Sequence, residues 1–493
     1  MSLAPARLPR GRQFALTWGI PDDFGGMTAA MLHRSRAFVT EAGADVTVLT
    51  LDDRPDYAVL EDRLRADGTI VDGIRILNLW DWLSEAHVRH AARHVPAATA
   101  LEDDESDAVR THDGVTRSRT RTSDGRTVAV DRFRPDGSLL LTDRQENGDR
   151  HLVLYGRDGE PVRFWKSTWA LYRYWLDQLT ASRRSFLVVD SKTAARFVHS
   201  YRREHVVTLH VLHGSHRRRG SAQSVSDSRR ETFEHAGDYD AIVTLTRRQA
   251  DDYLADGASP KALFVVPNGR AERETTSKTA HVRGRGVMLA SLTKRKRITH
   301  AIDALALVRR GGADVTLDLF GEGPEHEALA QRIVDRELTD TVRLRGFERD
   351  ADVHFADADF TLLTSTSEGL PLVLAESMAA GCIPIAYDIC YGPADIIQNG
   401  RNGFLVPEGD IEQLAERITQ LQRMPPRAVS ELRRRARATA RRFGDAAVTR
   451  RWGRAMELAL EGKRESDAGE SAMLRLRHRA GRFKRRVQRV LGA

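Results

Sequence analysis

The sequence predicts an α/β protein of two doubly wound domains, with an antiparallel β-meander inserted in the first. Three observations predict it. Strand-length apolar runs alternate with helix-length amphipathic runs in two separate series, the pattern of βαβ units around a parallel sheet. A polar stretch, "RAERETTSKTAHVRGRG", follows Gly269 and divides the series. Between the early strands and the rest of the first series, Asp-Gly or Asn-Gly pairs recur every 11 or 12 residues. The expected organisation is residues 1–75 and 166–275 as the first doubly wound domain and 76–165 as the insertion. Residues 284–445 form the second domain, and 446–493 form C-terminal helices.

Taken in order, "QFALTWGI" (13–20) reads as a strand, "DDFGGM" as a glycine turn and "TAAMLHRSRAFVTEAG" as a helix stopped by Gly43. "DVTVLTLD" then reads as a second strand. The pairs Asp113-Gly114, Asp124-Gly125, Asp136-Gly137, Asn147-Gly148 and Asp158-Gly159 suit tight hairpin turns, because both residue types tolerate positive φ. The runs between them, such as "RTVAVDRFR", "SLLLTDR" and "RHLVLYG", have strand length. No set of chemical groups repeats with the turns, so the insertion reads as a binding or assembly module and not as a catalytic one. "FWKSTWALYRYWLDQL" reads as an aromatic-rich amphipathic helix, after which "SFLVVD", "HVVTLHVLH", "AIVTLT" and "ALFVVPNG" resume the strand rhythm. The second series starts at "VMLASL" and continues through "VTLDLFG", "VRLRGF", "FTLLTS", "CIPIAYD" and "GFLVPEG". Ligands in such sheets gather outside the carboxyl ends of the strands, so a cleft between the two domains is the expected site.

The chain has 493 residues, a net charge of +8 and only two cysteines, Cys382 and Cys390. Two cysteines exclude a disulfide framework and a Cys-rich metal site; both read as small buried residues. The basic balance favours acidic partners, although the basic residues are mostly Arg and a source bias in composition would produce the same excess. The opening segment has an apolar run of only four or five residues, and no stretch is apolar enough to span a bilayer. The expected compartment is the cytoplasm. The tail "SAMLRLRHRAGRFKRRVQRVLGA" places Leu476, Ala480, Phe483, Val487 and Val490 at helical spacing among Arg and Lys. It suits an anionic membrane surface or acidic polymer, and equally a helix packed on a subunit.

The chemistry concentrates in "TSEGLPLVLAESMAAG" (366–381). "FTLLTS" before it reads as a buried strand, Pro371 suits the first helical turn and Gly381 the stop. The backbone N–H groups of residues 369–373 then open a helix without internal partners, a seat for a diphosphate. Glu368 stands at the entrance and Glu376 two turns along, where two carboxylates can accept hydrogen bonds from vicinal hydroxyls.

Glu368 and Glu376, seven residues between them, with "GLPLVLAESMAAG" around them, resemble the donor motif of retaining GT-B glycosyltransferases of family four. "FGEGP" (320–324), "RLRGF", "ADADFTLLTSTSEGLP" and "DIIQNGRNGFLVPEGD" extend the resemblance over residues 286–420. The meander, the aromatic helix and "TLHVLHGSH…AIVTLTRRQADDYL…VVPNG" resemble one branch. Its members are the poly(glycerol- or ribitol-phosphate) glycosyltransferases of wall teichoic acid and the related Ser/Thr N-acetylglucosaminyltransferases. The resemblance implies a GT-B enzyme that transfers glucose or N-acetylglucosamine from a UDP-sugar, with retention, to a polyol-phosphate polymer. The same chemistry on Ser/Thr of a secreted adhesin is the alternative, and a non-catalytic polymer-binding protein on this scaffold a further one.

Carried over to this chain, the resemblance gives Glu376 the ribose hydroxyls and Glu368 the hexose hydroxyls, the latter with a catalytic role. Lys296 neutralises the departing diphosphate with the helix start at Gly369, Leu370, Pro371 and Leu372. Gly346 and Phe347 abut the uracil, and Gly25 and Gly26 allow close approach of sugar or phosphate to backbone. One of His210, His213 and His216 faces the sugar; His213 is the preferred one, with His210 and His216 on the acceptor side. The family carries Arg five residues before the Lys, where this chain has Ser291, so Arg295 or Arg297 is expected to supply that charge. "GEGP" is expected to be a structural turn. No metal is expected, since no metal-ligand cluster stands out. A homo-oligomer, a trimer among the options, is expected through the meander, and the basic tail would seat the enzyme on the inner face of the membrane.

Overall fold

The computed structural model describes residues 6–491 apart from 87, 89–94, 96–99, 103–105, 147, 219–223 and 272–280; side chains of 146 and of 469–491 lie outside the description. The chain forms two compact units: residues 1–9, 29–44 and 209–493 make one, and residues 10–28 and 45–208 the other.

The smaller unit contains four parallel strands in the order Ser185–Val189, Arg12–Leu16, Val46–Thr50 and Ile74–Asn78. Ser185–Val189 and Val46–Thr50 are buried at every position, which is why apolar residues predominate in them without alternation. The parallel sheet runs to Asn78, whose side chain caps the helix Leu79–Glu85 by accepting from the N–H groups of Trp80 and Asp81. The meander is a six-stranded antiparallel sheet in sequence order: Ala108–His112, Val115–Ser123, Arg126–Phe133, Leu139–Glu146, Asp149–Tyr155 and Pro161–Trp165. Asp113 and Gly114 take φ of 50° and 74°, and Asp124 and Gly125 take 49° and 71°. Positive φ at both central residues gives the primed turns that match strand twist, which is why these dipeptides set the beat of the meander. Asn147 lies outside the described residues. Phe164 and Trp165, expected in the aromatic helix, close the last meander strand instead. The helix is Thr168–Thr180, and Ser167 caps it by accepting from Ala170 N–H.

The larger unit contains the second doubly wound sheet. Its six parallel strands run Val342–Gly346, Thr316–Phe320, Val282–Leu289, Ala358–Leu363, Ile383–Asp388 and Phe404–Pro407. In chain order this is 3-2-1-4-5-6, the Rossmann order, whose switch point lies between Val282–Leu289 and Ala358–Leu363. The strand starting at Val282 takes in "VRGRG", expected in the linker. Glycine explains the misreading: Gly286 carries no Cβ because the Phe360 ring lies 2.6 Å from where one would sit, and Gly284 holds φ of +79° at a register shift. The same unit holds Leu209–Leu212 of the strand Val206–Leu212, with the parallel strands Ala241–Thr244 and Leu263–Val265 paired in that order, and a helix over Asp445–Leu491. The amphipathic pattern of the tail concerns side chains outside the description. Among the described residues no helix is long and apolar enough to cross a membrane. Cys382 and Cys390 are both free thiols, Cys382 buried.

Candidate functional site: the sheet switch point

Two loops leave the carboxyl ends of the strands flanking the switch point, residues 290–297 and 364–371. They are tied to each other: Thr366 N–H donates to the Arg295 carbonyl at 2.8 Å, and Thr364 Oγ1 to the Lys296 carbonyl at 2.8 Å. This pairing aims both basic side chains at Glu368. Lys296 Nζ lies 2.7 Å from Glu368 Oε1, and Arg295 Nη1 lies 2.9 Å from the same oxygen and 3.0 Å from the Ser367 carbonyl. Burial alone would push the Glu368 carboxyl up; Lys296 and Arg295 outweigh it and hold the group below the usual carboxylate range.

The helix behind Glu368 runs Leu372–Ala380, with Pro371 before its first turn and Gly381 at φ +86° ending it. Leu374, Ala375, Ser377 and Met378 are buried, Val373 packs on the core cluster that includes Val287 and Phe320, and Leu372 and Glu376 are half-buried. Glu376 stands one turn beyond the first turn of this helix. Gly369 and Leu370 lead into that turn, and Gly392 holds φ of +109° where a Cβ would strike the Pro371 ring.

His213 follows the strand Val206–Leu212, half-buried, and its carbonyl oxygen stands where a Cβ on Gly369 would go. Gln249 holds this loop from behind: its Nε2 donates to the carbonyls of Leu212 at 3.0 Å and Gly214 at 2.9 Å. Further ties join the helix Arg247–Ala255 to the loops after Ile383–Asp388. Tyr391 Oη donates to Asp252 at 2.8 Å, Arg248 pairs with Asp388 at 3.0 Å, and Arg247 N–H donates to Asp395 at 2.6 Å.

The other two histidines are corrected by their surroundings. His210 is fully buried and stacks on Tyr239, with ring centroids 5.5 Å apart. His216 is 1% exposed, bonds Asp256 through Nε2 at 2.7 Å and stacks on Phe233; burial lowers its pKa. Both are buried in packing contacts, unlike the half-buried His213. Of the two candidate replacements for the charge missing at Ser291, Arg295 stands at Glu368, whereas Arg297 pairs with Glu408 at 2.9 Å. Ser291 itself is exposed. The "GEGP" turn is structural: Leu292 N–H donates to the Glu322 carbonyl at 2.8 Å, and Cβ atoms on Gly321 or Gly323 would strike residues 290–292. Gly346 holds φ of +73° at the end of its strand, and the Phe347 ring beside it is 70% exposed. Gly25 and Gly26 are exposed at the start of the helix Gly26–Ala42, and a Cβ on either would meet nothing within 4 Å.

A carboxylate held ionised by two cations at the mouth of a helix, on the switch point of a Rossmann sheet, is an arrangement that fits a glycosyltransferase of GT-B fold. Residues 284–443 match the family described as glycosyl transferases group 1. The chain is 22% identical over 477 residues, 84% of this chain and 70% of the relative, to the poly(glycerol-phosphate) alpha-glucosyltransferase of Bacillus subtilis. It is 22% identical over 449 residues, 80% of this chain and 90% of the relative, to the poly(ribitol-phosphate) alpha-N-acetylglucosaminyltransferase of Staphylococcus aureus. A crystal structure of an S. aureus TarM variant with fondaparinux, alpha-GlcNAc-glycerol and UDP superposes with a TM-score of 0.66 at 19% identity, covering 90% of this chain and 99% of that one. Residues 284–443 thus carry a group 1 glycosyltransferase domain, the chain is similar over most of its length to these polyol-phosphate glycosyltransferases, and it is a hexosyltransferase of GT-B fold.

Proposed function

We propose that this enzyme moves glucose or N-acetylglucosamine from a UDP-sugar, with retention, onto a polyol-phosphate polymer of the teichoic acid type. The observation that carries the reading is the convergence of Lys296 and Arg295 on Glu368 at the start of the helix Leu372–Ala380. Two relatives aligned over 84% and 80% of the chain act, by name, on polyol-phosphate polymers.

In this scheme the acceptor hydroxyl attacks the anomeric carbon from the face the diphosphate leaves. The carbon–phosphate-oxygen bond breaks, the new glycosidic bond forms, and the hydroxyl proton passes to the departing phosphate oxygen. The protein supplies orientation and charge. Lys296, Arg295 and the helix start receive the developing charge on the diphosphate; Glu368 holds the hexose hydroxyls and Glu376 the ribose hydroxyls; Phe347 offers its exposed ring to the uracil. His213 faces the sugar. No metal takes part in this mechanism. The enzyme works in the cytoplasm as a homo-oligomer, seated on the inner membrane face by its basic tail, a proposal that light scattering and vesicle flotation test.

Incubation with UDP-glucose and UDP-N-acetylglucosamine, with and without polyol-phosphate polymer, tests the activity. Polymer-dependent UDP release that drops about a hundredfold in Glu368→Gln is expected, the scale of losing a charge-positioning group in an active site. Undiminished transfer by Glu368→Gln would overturn the assignment.

A further inference from the structure

The smaller unit holds a cavity of about 750 Å³ that contains none of the residues discussed above as donor-binding. Its base is built from segments that follow three neighbouring parallel strands: Thr17–Pro21, Asp52–Pro55 and the first turn of Leu79–Glu85. Its cover comes from the meander, through Arg110, Arg117, Arg132 and Phe133.

Three kinds of group converge there. Aromatic faces come from Trp18, Trp80 and Phe133, and Trp18 is 39% exposed. Carboxylates come from Asp52, Asp53 and Asp81; burial pushes the Asp81 carboxyl up to about 6, with Arg117 opposing that rise. Guanidinium groups come from the three meander arginines and from a fourth, Arg54, which is paired with Asp22 at 2.9 Å and Asp56 at 2.6 Å. Arg110 reaches Asp53 at 3.1 Å; the Arg132 guanidinium carbon lies over the Trp80 ring, 3.9 Å from its centroid, and Arg132 approaches Asp53 only to 3.9 Å. Arg132 Nε–H is buried and has no hydrogen-bond partner among the described residues. Asp52 gives Oδ1 to the Tyr57 hydroxyl at 2.5 Å and presses its other oxygen against Gly19, so that carboxylate is fixed in place.

Each group matches one part of a repeating chain. Guanidinium forks take phosphodiester oxygens two at a time. Carboxylates take vicinal hydroxyls, and aromatic faces cover C–H surface. A compact polyanion such as pyrophosphate would bring its charges among three carboxylates; a phosphodiester brings a single charge flanked by hydroxyl-bearing carbons. We infer that this cavity is a binding subsite for a stretch of phosphodiester-linked polyol chain, with Arg117 and Arg132 on the phosphate and Trp18 against the polyol. The inference rests on the acceptor class proposed above and adds where on the chain that acceptor is held.

The test is a fluorescence titration of the full chain with a glycerol-phosphate oligomer of defined length, beside inorganic polyphosphate and a neutral dextran oligomer. Steady-state kinetics of transfer accompany it. Arg117→Ala should weaken oligomer binding and raise KM for polymer at least tenfold. Arg117→Lys should restore part of both, and UDP-sugar hydrolysis without acceptor should keep its wild-type rate. Trp18→Ala, on another element, should weaken binding too and carries the test if Arg117→Ala fails to fold. Wild-type affinity and KM in both variants would overturn the inference while leaving the activity standing, as would equal binding of polyphosphate or dextran. A wild-type protein that neither binds nor modifies the polymer would instead overturn the proposed function, and this subsite with it.

Discussion

The carbonyl oxygen of His213 occupies the space that a side chain on Gly369 would need. The loop bearing His213 cannot retreat, because Gln249 Nε2 holds the carbonyls on either side of it while Gln249 Oε1 accepts from Leu245 N–H at 3.0 Å. A single methyl at 369 must therefore displace either this loop or the mouth of the helix Leu372–Ala380. Gly369→Ala should lower kcat/KM for UDP release at least tenfold and cost about 1–3 kcal/mol of stability, the usual range for overpacking. Kinetics and urea unfolding read the two effects separately. A variant with wild-type values in both would mean that the contact yields without consequence.

The Lys296–Glu368 pair makes a prediction in pH. The Glu368 carboxyl is held below the usual carboxylate range, so the native state favours its ionised form. The stabilising contribution of the pair is present at neutral pH and is lost as pH falls through that depressed value. In Lys296→Met the burial that pushes the carboxyl up is opposed by Arg295, the more exposed of the two cations, and by the Ser365 hydroxyl. The acid limb of kcat/KM should move to higher pH, and kcat should fall about a hundredfold if, as proposed, Lys296 receives the charge of the leaving group. Lys296→Arg should recover part of both. An acid limb unmoved in Lys296→Met would separate the lysine from the ionisation of Glu368.

Much of this site was legible because it depends on strand ends. The run "FTLLTS" is buried at every position and could be read as a strand, so the loop carrying Glu368 could be placed at a strand end from sequence, whereas Lys296 was assigned through the family resemblance. The histidines were not legible in the same way. His210, His213 and His216 recur at one spacing, yet the first lies within a strand buried at every position and the last is held by Asp256; only tertiary packing separates them. A signal did exist in "QADDYLAD", where Gln249, Asp252 and Asp256 share a helix face. That face reads as solvated, but it carries the ligands of the 212–217 loop: Gln249 takes the backbone, and Asp252 and Asp256 take Arg217 and His216. The start of Val282–Leu289 was lost to its glycines, which signal a linker until the Phe360 ring they accommodate is known.

Asp359, completely buried at the start of the strand leading to Glu368, tests how far the site depends on the polar core beneath it. Its carboxylate accepts from Gly284 N–H at 3.0 Å, from Gln422 Nε2 at 3.0 Å and from Arg433 Nη2 at 2.5 Å. The Arg433 side chain is 11% exposed, and burial lowers its pKa, so the carboxylate is what keeps a charged guanidinium tolerable there. Arg433 in turn donates to the Gly381 carbonyl at 2.9 Å, at the end of the helix that carries Glu376. Removing the acid alone leaves an uncompensated buried cation: Asp359→Ala should cost about 3–5 kcal/mol. Replacing the pair by apolar groups, Asp359→Leu with Arg433→Met, should recover most of that loss, because desolvation offsets much of what a buried ion pair contributes. Urea unfolding gives the energies, and the KM for UDP-sugar in the double variant tells whether the end of the helix still needs the Gly381 hydrogen bond. Stability restored with KM unchanged would confine the pair to folding; a raised KM at restored stability would show that it also positions the donor helix.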